Sequence, residues 1–134
     1  MRIAYDSPSG QRLAQHGVER RELEATRIYG FDFQLGAAIT LPIPFMGTSI
    51  FLRRKWLVYD EEGELKDSWD LAILRHELRH VCQILDWGGV VYMARQLWAR
   101  VKTRSLYARE SPEESHCYEA EARVYEFYRS RSDG

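Results

Sequence analysis

The chain has little cysteine, little histidine and no long apolar run, and each shortage excludes a class of protein. Two cysteines, Cys82 and Cys117, are too few for a disulfide framework. No apolar stretch approaches the roughly 20 residues that a helix needs to span a bilayer. The opening residues, Met-Arg-Ile-Ala-Tyr-Asp-Ser-Pro, lack the apolar core of a secretory signal, so a cytoplasmic location is expected. Charge of one sign is lacking too. Nineteen basic residues oppose twenty acidic ones, for a formal net charge of −1, and no global field draws in nucleic acid or an anionic membrane. Neither is expected as a partner. Histidine is the remaining shortage, with four in all, yet two of them stand four residues apart.

What is present reads as one ordinary folded domain covering residues 1–134, with no repeat or linker. Hydrophobic residues make up 45% and charged residues 29%. Residues 11–29 carry Leu13, Val18, Leu23 and Ile28 among polar neighbours and read as a helix stopped by Gly30, giving an N-terminal helical segment over 1–30. Residues 31–41 and 48–58 read as two strands, separated by Pro42, Pro44 and Gly47. A polar loop follows at 59–67 with Gly63 at its turn.

Three helices are expected over 67–128. Asp67 reads as the N-cap of the first, with Asp70 three residues on making its opening turn acidic; it runs to Gly88-Gly89. The second, over 90–108, reads as a long amphipathic helix whose apolar positions Val91, Ala94, Leu97, Trp98 and Val101 share helical spacing. Ser111-Pro112-Glu113-Glu114 is a capping box with proline at the first helical position, opening the third helix. Trp69, Trp87 and Trp98 are expected in the core. Arg75 and Arg79 are expected on a solvated face, and Arg53-Arg54-Lys55 at a solvated strand end. Cys82 reads as a small buried residue.

The chemistry lies in His76-Glu77-Leu78-Arg79-His80. Four residues of α-helix turn through about 400°, so both imidazoles project from one face, one turn apart. Two such nitrogens can bind one zinc ion, and Glu77 can reach a water on that ion. With four histidines and thirteen glutamates in the chain, chance produces H-E-x-x-H roughly once in 90 sequences of this composition. A catalytic zinc takes a third protein ligand, and the helix SPEESHCYEAEARVYEFY holds the candidates. Glu119 shares a face with His116 and Arg123. Glu121 points about 200° away, so only one of Glu119 and Glu121 can face the metal; His116 competes with them. Gln83, three residues past His80, suits the role of orienting a ligand.

These residues, LRHELRHVCQ followed by a Gly-rich turn and then SPEESHCYEAEA, resemble the small gluzincin-like H-E-x-x-H metallopeptidases of bacteria over about residues 35–127. The resemblance implies an α+β fold, a compact zincin-like domain with a short sheet packed on the H-E-x-x-H helix and further helices. It implies zinc held by His76, His80 and Glu119, the first glutamate of an E-x-E-A signature whose second is Glu121. It also implies hydrolysis of a peptide or protein substrate with Glu77 as general base and then acid. Several related families carry Asp or Asn where this chain has Arg123. The oxyanion donor is open among His116, Tyr107, Tyr118 and Arg123. Strand TSIFL is the expected edge for an extended peptide. The alternative is a catalytically silent zincin serving as a binding or structural module, since so short a chain leaves room for a partner chain to complete the cleft. A third reading is a metal-free helical protein in which HELRH is incidental.

Overall fold

A computed structural model describes residues 1–32, 38–43, 47–104 and 111–133. The chain is α+β, with a small three-stranded sheet and five α-helices among the described residues. The N-terminal segment departs from the expected single helix. Ser7 caps α1 (Pro8–Ala14), its hydroxyl accepting from the Gly10 amide at 3.1 Å. Gly17 then adopts φ +89°, a conformation open chiefly to glycine, and ends the helical path. A second short helix, α2 (Arg20–Glu24), leads directly into a strand, β1 (Thr26–Phe31). The β-branched Thr26 and Ile28 pair with a neighbouring strand, and Gly30 lies within β1 instead of ending a helix.

β2 (Ala38–Ile43) and β3 (Gly47–Arg53) are antiparallel, with Thr40 opposite Ile50, while β1 runs parallel to β3 with Ile28 opposite Ile50. The strand order is β1-β3-β2. β3 contains TSIFL, the expected peptide-binding edge, but it is the central strand with both ladder edges already used. Among the described residues the outer edge nearer the site belongs to β2. Arg54, Lys55 and Trp56 form a 3-10 turn after β3, with both basic side chains exposed. Gly63, at φ +78°, turns the loop that follows.

Helix α3 (Leu71–Trp87) forms the centre of the molecule. Leu71, Leu74, Leu78 and Val81, at i, i+3, i+7 and i+10, are buried with Ile28, Ile50 and Leu52 of the sheet. Asp70 occupies the cap position without a side-chain cap bond. Asp67 does not cap; its carboxylate accepts from Tyr128 Oη at 2.5 Å and Gln15 Nε2 at 3.0 Å, tying the C-terminal helix to α1. Because α2 and the N-terminal loop cover this flank, Arg75 is buried and not solvated. Its Nε donates to the His16 carbonyl at 2.9 Å, and burial lowers its pKa against the pull of Glu22. Arg79 is half-buried and donates to Cys82 Sγ at 3.4 Å. Cys82 and Cys117 are both buried as thiols, not joined in a disulfide.

Gly88, at φ +84°, separates α3 from α4 (Gly89–Thr103). Here the amphipathic stripe forms but faces outward. Tyr92, Gln96 and Ala99, at i, i+4 and i+7, face the protein. Val91, Ala94, Leu97, Trp98 and Val101 therefore lie on the opposite arc and are exposed. Of the expected core tryptophans, Trp98 is exposed. Trp69 is also exposed, stacked on Tyr125, and Trp87 lies half-buried under the Arg95 guanidinium. Helix α5 (Pro112–Asp133) closes the structure, packing along α3 with Cys117, Ala120 and Val124 buried.

Candidate metal centre

The helical repeat of α3 sets His76 and His80 side by side, their ring centroids 5.3 Å apart, and both are buried beneath α5. The first turn of α5 brings Glu114 down between them. Its Oε2 is 3.3 Å from His76 Nε2 and its Oε1 is 3.3 Å from His80 Nε2. One carboxylate thus addresses the same nitrogen of both imidazoles. Two donors on a tetrahedral ion with bonds of about 2.0–2.1 Å stand about 3.3 Å apart, and each of the two His–Glu114 contacts matches that spacing.

The remaining ring nitrogens are also engaged. Glu121 Oε2 is 3.3 Å from His76 Nδ1, and Gln83 Oε1 is 3.1 Å from His80 Nδ1. Such partners fix the tautomer and leave Nε2 free to donate a lone pair. Cys117 Sγ approaches from the other side, 3.5 Å from His80 Nδ1. The ligand atoms of His76, His80 and Cys117 lie within 4.8 Å of one another, so this buried group could also hold a metal ion. One fact favours Glu114 over Cys117: the thiol addresses the nitrogen already facing Gln83, while Glu114 addresses the Nε2 atoms. Burial pushes the Glu114 carboxyl up, but hydrogen bonds to His76 and His80 outweigh it and pull the pKa down to about 2. For His76, burial opposes the charged form; hydrogen bonds to Glu114 and Glu121 prevail and raise it to about 9.

Glu77 is buried beside this group, held from the sheet: Thr40 of β2 donates its hydroxyl to Glu77 Oε2 at 2.5 Å. The three residues border a cleft of about 630 Å³. Residues 38–41 of β2 form one wall of it, α4 contributes Tyr92, Gln96 and Arg100, and α5 contributes Tyr118. Gln96 accepts from Arg100 through Oε1 at 2.5 Å, while its buried Nε2 has no partner among the described residues.

The other expected site residues are dispersed. Glu119 is not at the histidines: its side chain is 63% exposed, and it lies 3.9 Å from the equally exposed His116 on the outer face of α5. Glu114, 6% exposed, is the glutamate that lies between the histidines. Only one of Glu119 and Glu121 faces inward, as the spacing required, but it is Glu121. Tyr118 borders the cleft with its ring edge-on to His76, centroids 4.6 Å apart. Arg123 is exposed and away from the cleft. Tyr107 lies outside the described residues. Glu114, Tyr92, Gln96, Arg100 and Thr40 were not singled out from sequence as site residues. A usable signal existed for the first. Glu114, Cys117, Glu121 and Val124 fall at i, i+3, i+7 and i+10, one stripe of one helix. Assigning Glu114 to a capping box concealed it. Half of that box does form, the Ser111 hydroxyl accepting from the Glu114 amide at 3.3 Å, while the carboxylate points to the histidines.

Comparison with family models, with curated proteins and with solved structures finds no match for this chain.

Proposed function

We propose that this protein is a zinc-dependent, zincin-like peptide hydrolase in which His76, His80 and Glu114 hold the metal and Glu77 moves the proton. One observation carries the reading: a single buried carboxylate straddles both Nε2 atoms of an H-E-x-x-H helix at 3.3 Å. Two imidazoles, one carboxylate and an open cleft suit a catalytic Zn²⁺ with a vacant fourth position. When bound, zinc supplies Lewis-acid polarisation of a carbonyl and lowers the pKa of a coordinated water to about 7.

The chain's own groups do the rest. The Glu77 carboxylate, oriented by the Thr40 hydroxyl, takes the proton of the attacking water and returns it to the departing amine nitrogen. The unpartnered Gln96 Nε2 and the Arg100 guanidinium are the donors positioned to meet a substrate carbonyl or the negative charge developing on it. The outer edge of β2 offers backbone groups to an extended peptide, which would add as a fourth strand along the cleft.

Protein purified without chelator should carry one equivalent of zinc by elemental analysis and cleave a broad fluorogenic peptide library. Glu77→Gln should retain the zinc and lose about 10²–10⁴-fold in kcat/KM. Chain without metal would overturn the metal assignment, and equal cleavage by the two forms would remove Glu77 from the chemistry.

A further inference from the structure

The outward arc of α4 holds six of the twelve exposed large hydrophobic residues among the described ones, and its chemistry is asymmetric. Val90 is 86% exposed, Leu97 67%, Trp98 65% and Val101 59%. At 100° per residue these side chains, with Val91, Met93 and Ala94, span about 160° of the helix, opposite the arc that packs on the protein. Arg95 and Lys102 border this arc on one side and Arg100 on the other. Between Asp86 and Glu110 the sequence has five basic residues and no acidic one, leaving the rest of the chain with fourteen basic and twenty acidic residues. The near-zero net charge therefore conceals a strongly cationic segment around an exposed apolar stripe.

We infer that α4 is an interfacial helix that lies on an anionic lipid surface. An outward apolar stripe containing Trp and Leu, flanked by Arg and Lys, is the pattern that buries its apolar face at the boundary between headgroups and acyl chains while its cations meet lipid phosphates and carboxylates. Among the described residues no helix is long and apolar enough to cross a membrane, so the helix lies in the plane of the surface. Charge argues against a second copy as the occupant. Two α4 faces packed together would appose Arg95 and Lys102 with their own copies, and the helix has no carboxylate to pair with them; Arg100 is engaged by Gln96 and Glu114 in the cleft. A lipid surface supplies the missing negative charge. The same helix contributes Met93 and Leu97 to the cleft, so the cleft mouth sits beside the lipid.

The test uses the full chain with vesicles of phosphatidylcholine alone or with phosphatidylserine at three to one, followed by co-sedimentation. Binding should be at least ten-fold tighter to the anionic vesicles and should weaken as salt rises. Each cation near the surface contributes about five-fold, so Arg95→Glu with Lys102→Glu should abolish measurable binding. The triple variant Val90→Ser, Trp98→Ser, Val101→Ser, all solvent-facing and outside the cleft, should also lose it while keeping its far-ultraviolet circular dichroism. If that variant misfolds, quenching by brominated acyl chains, compared between the native chain and Trp98→Phe, reads insertion directly and should be confined to the native chain. Equal binding to both vesicle types, no binding at low salt, or a dimer in solution that the triple variant abolishes would each overturn the inference. The measurement is independent of metal content and peptide cleavage.

Discussion

Helices α3 and α4 are consecutive, of similar length, and separated by a single glycine, yet they use their apolar residues in opposite ways. In α3 Leu71, Leu74 and Leu78 are buried with the sheet, and His76, Glu77, His80 and Gln83 are buried as well, because the helix is covered by β2 and β3 on one side and α5 on the other. In α4 the apolar stripe faces out, and the protein side is lined by Tyr92, Gln96 and Ala99. The contrast teaches that helical periodicity reveals an apolar face but not what covers it. It also explains how a small domain can bury a polar site: α3 gives its best packing positions to histidines and glutamate, and the carboxylates of α5 satisfy them.

The contrast can be broken most severely at the buried seam between α3 and α5. Glu114→Ala should lower zinc affinity by several orders of magnitude in competition with a chromogenic chelator, because the proposed third ligand is lost. Glu119→Ala, on the exposed face of the same helix, should leave affinity unchanged. Equal losses would reassign the third ligand.

A smaller effect compares packing on the two helices. Leu78→Ala empties a fully buried position and should cost about 2–5 kcal/mol in denaturant unfolding. Val101→Ala, on the outward arc of α4, should change stability by no more than about 0.5 kcal/mol. A large cost at Val101 would mean that the outward face is covered in solution.

The smallest effect concerns the seam without metal. His76 has its pKa raised from 6.5 to about 9, so its contribution is full below pH 6.5 and is lost as pH rises through 9. Glu114 is lowered from 4.5 to about 2, so its contribution is full above pH 4.5 and is lost as pH falls toward 2. Unfolding of the metal-free chain should therefore show its seam stabilisation on a plateau between about pH 4.5 and 6.5. Zinc, which needs the neutral imidazole, should release a proton on binding at pH 8. A profile that stays flat up to pH 9 would mean that His76 is not held charged.

Much of this architecture was readable from sequence where local chemistry decides it. The H-E-x-x-H spacing, the run of α3 to Gly88, the turn at Gly63 and strand TSIFL all follow from helical angle, glycine conformation or β-branching. The misreadings lie where tertiary partners decide. Thr26 and Ile28 became strand because β3 was there to pair with them, and TSIFL became central because β1 covered its second edge. Glu114 has one local role, as a cap, and one distant role, at histidines more than thirty residues earlier; only the fold chooses between them. Arg75 is buried because α2 closes over it, which no property of α3 announces.

The bond from Thr40 to Glu77 has a mechanical consequence. One strand supplies both a wall of the cleft and the hydroxyl that aims the carboxylate, so β2 serves as a common ruler for both. Side chains alternate along a strand, and a slip of one residue against β3 would swing Thr40 to the far face and bring Ile39 or Leu41 into its place. The pairing of Thr40 with Ile50 therefore sets more than the sheet: it fixes the alignment of a chain laid along β2 and the aim of Glu77 from one origin.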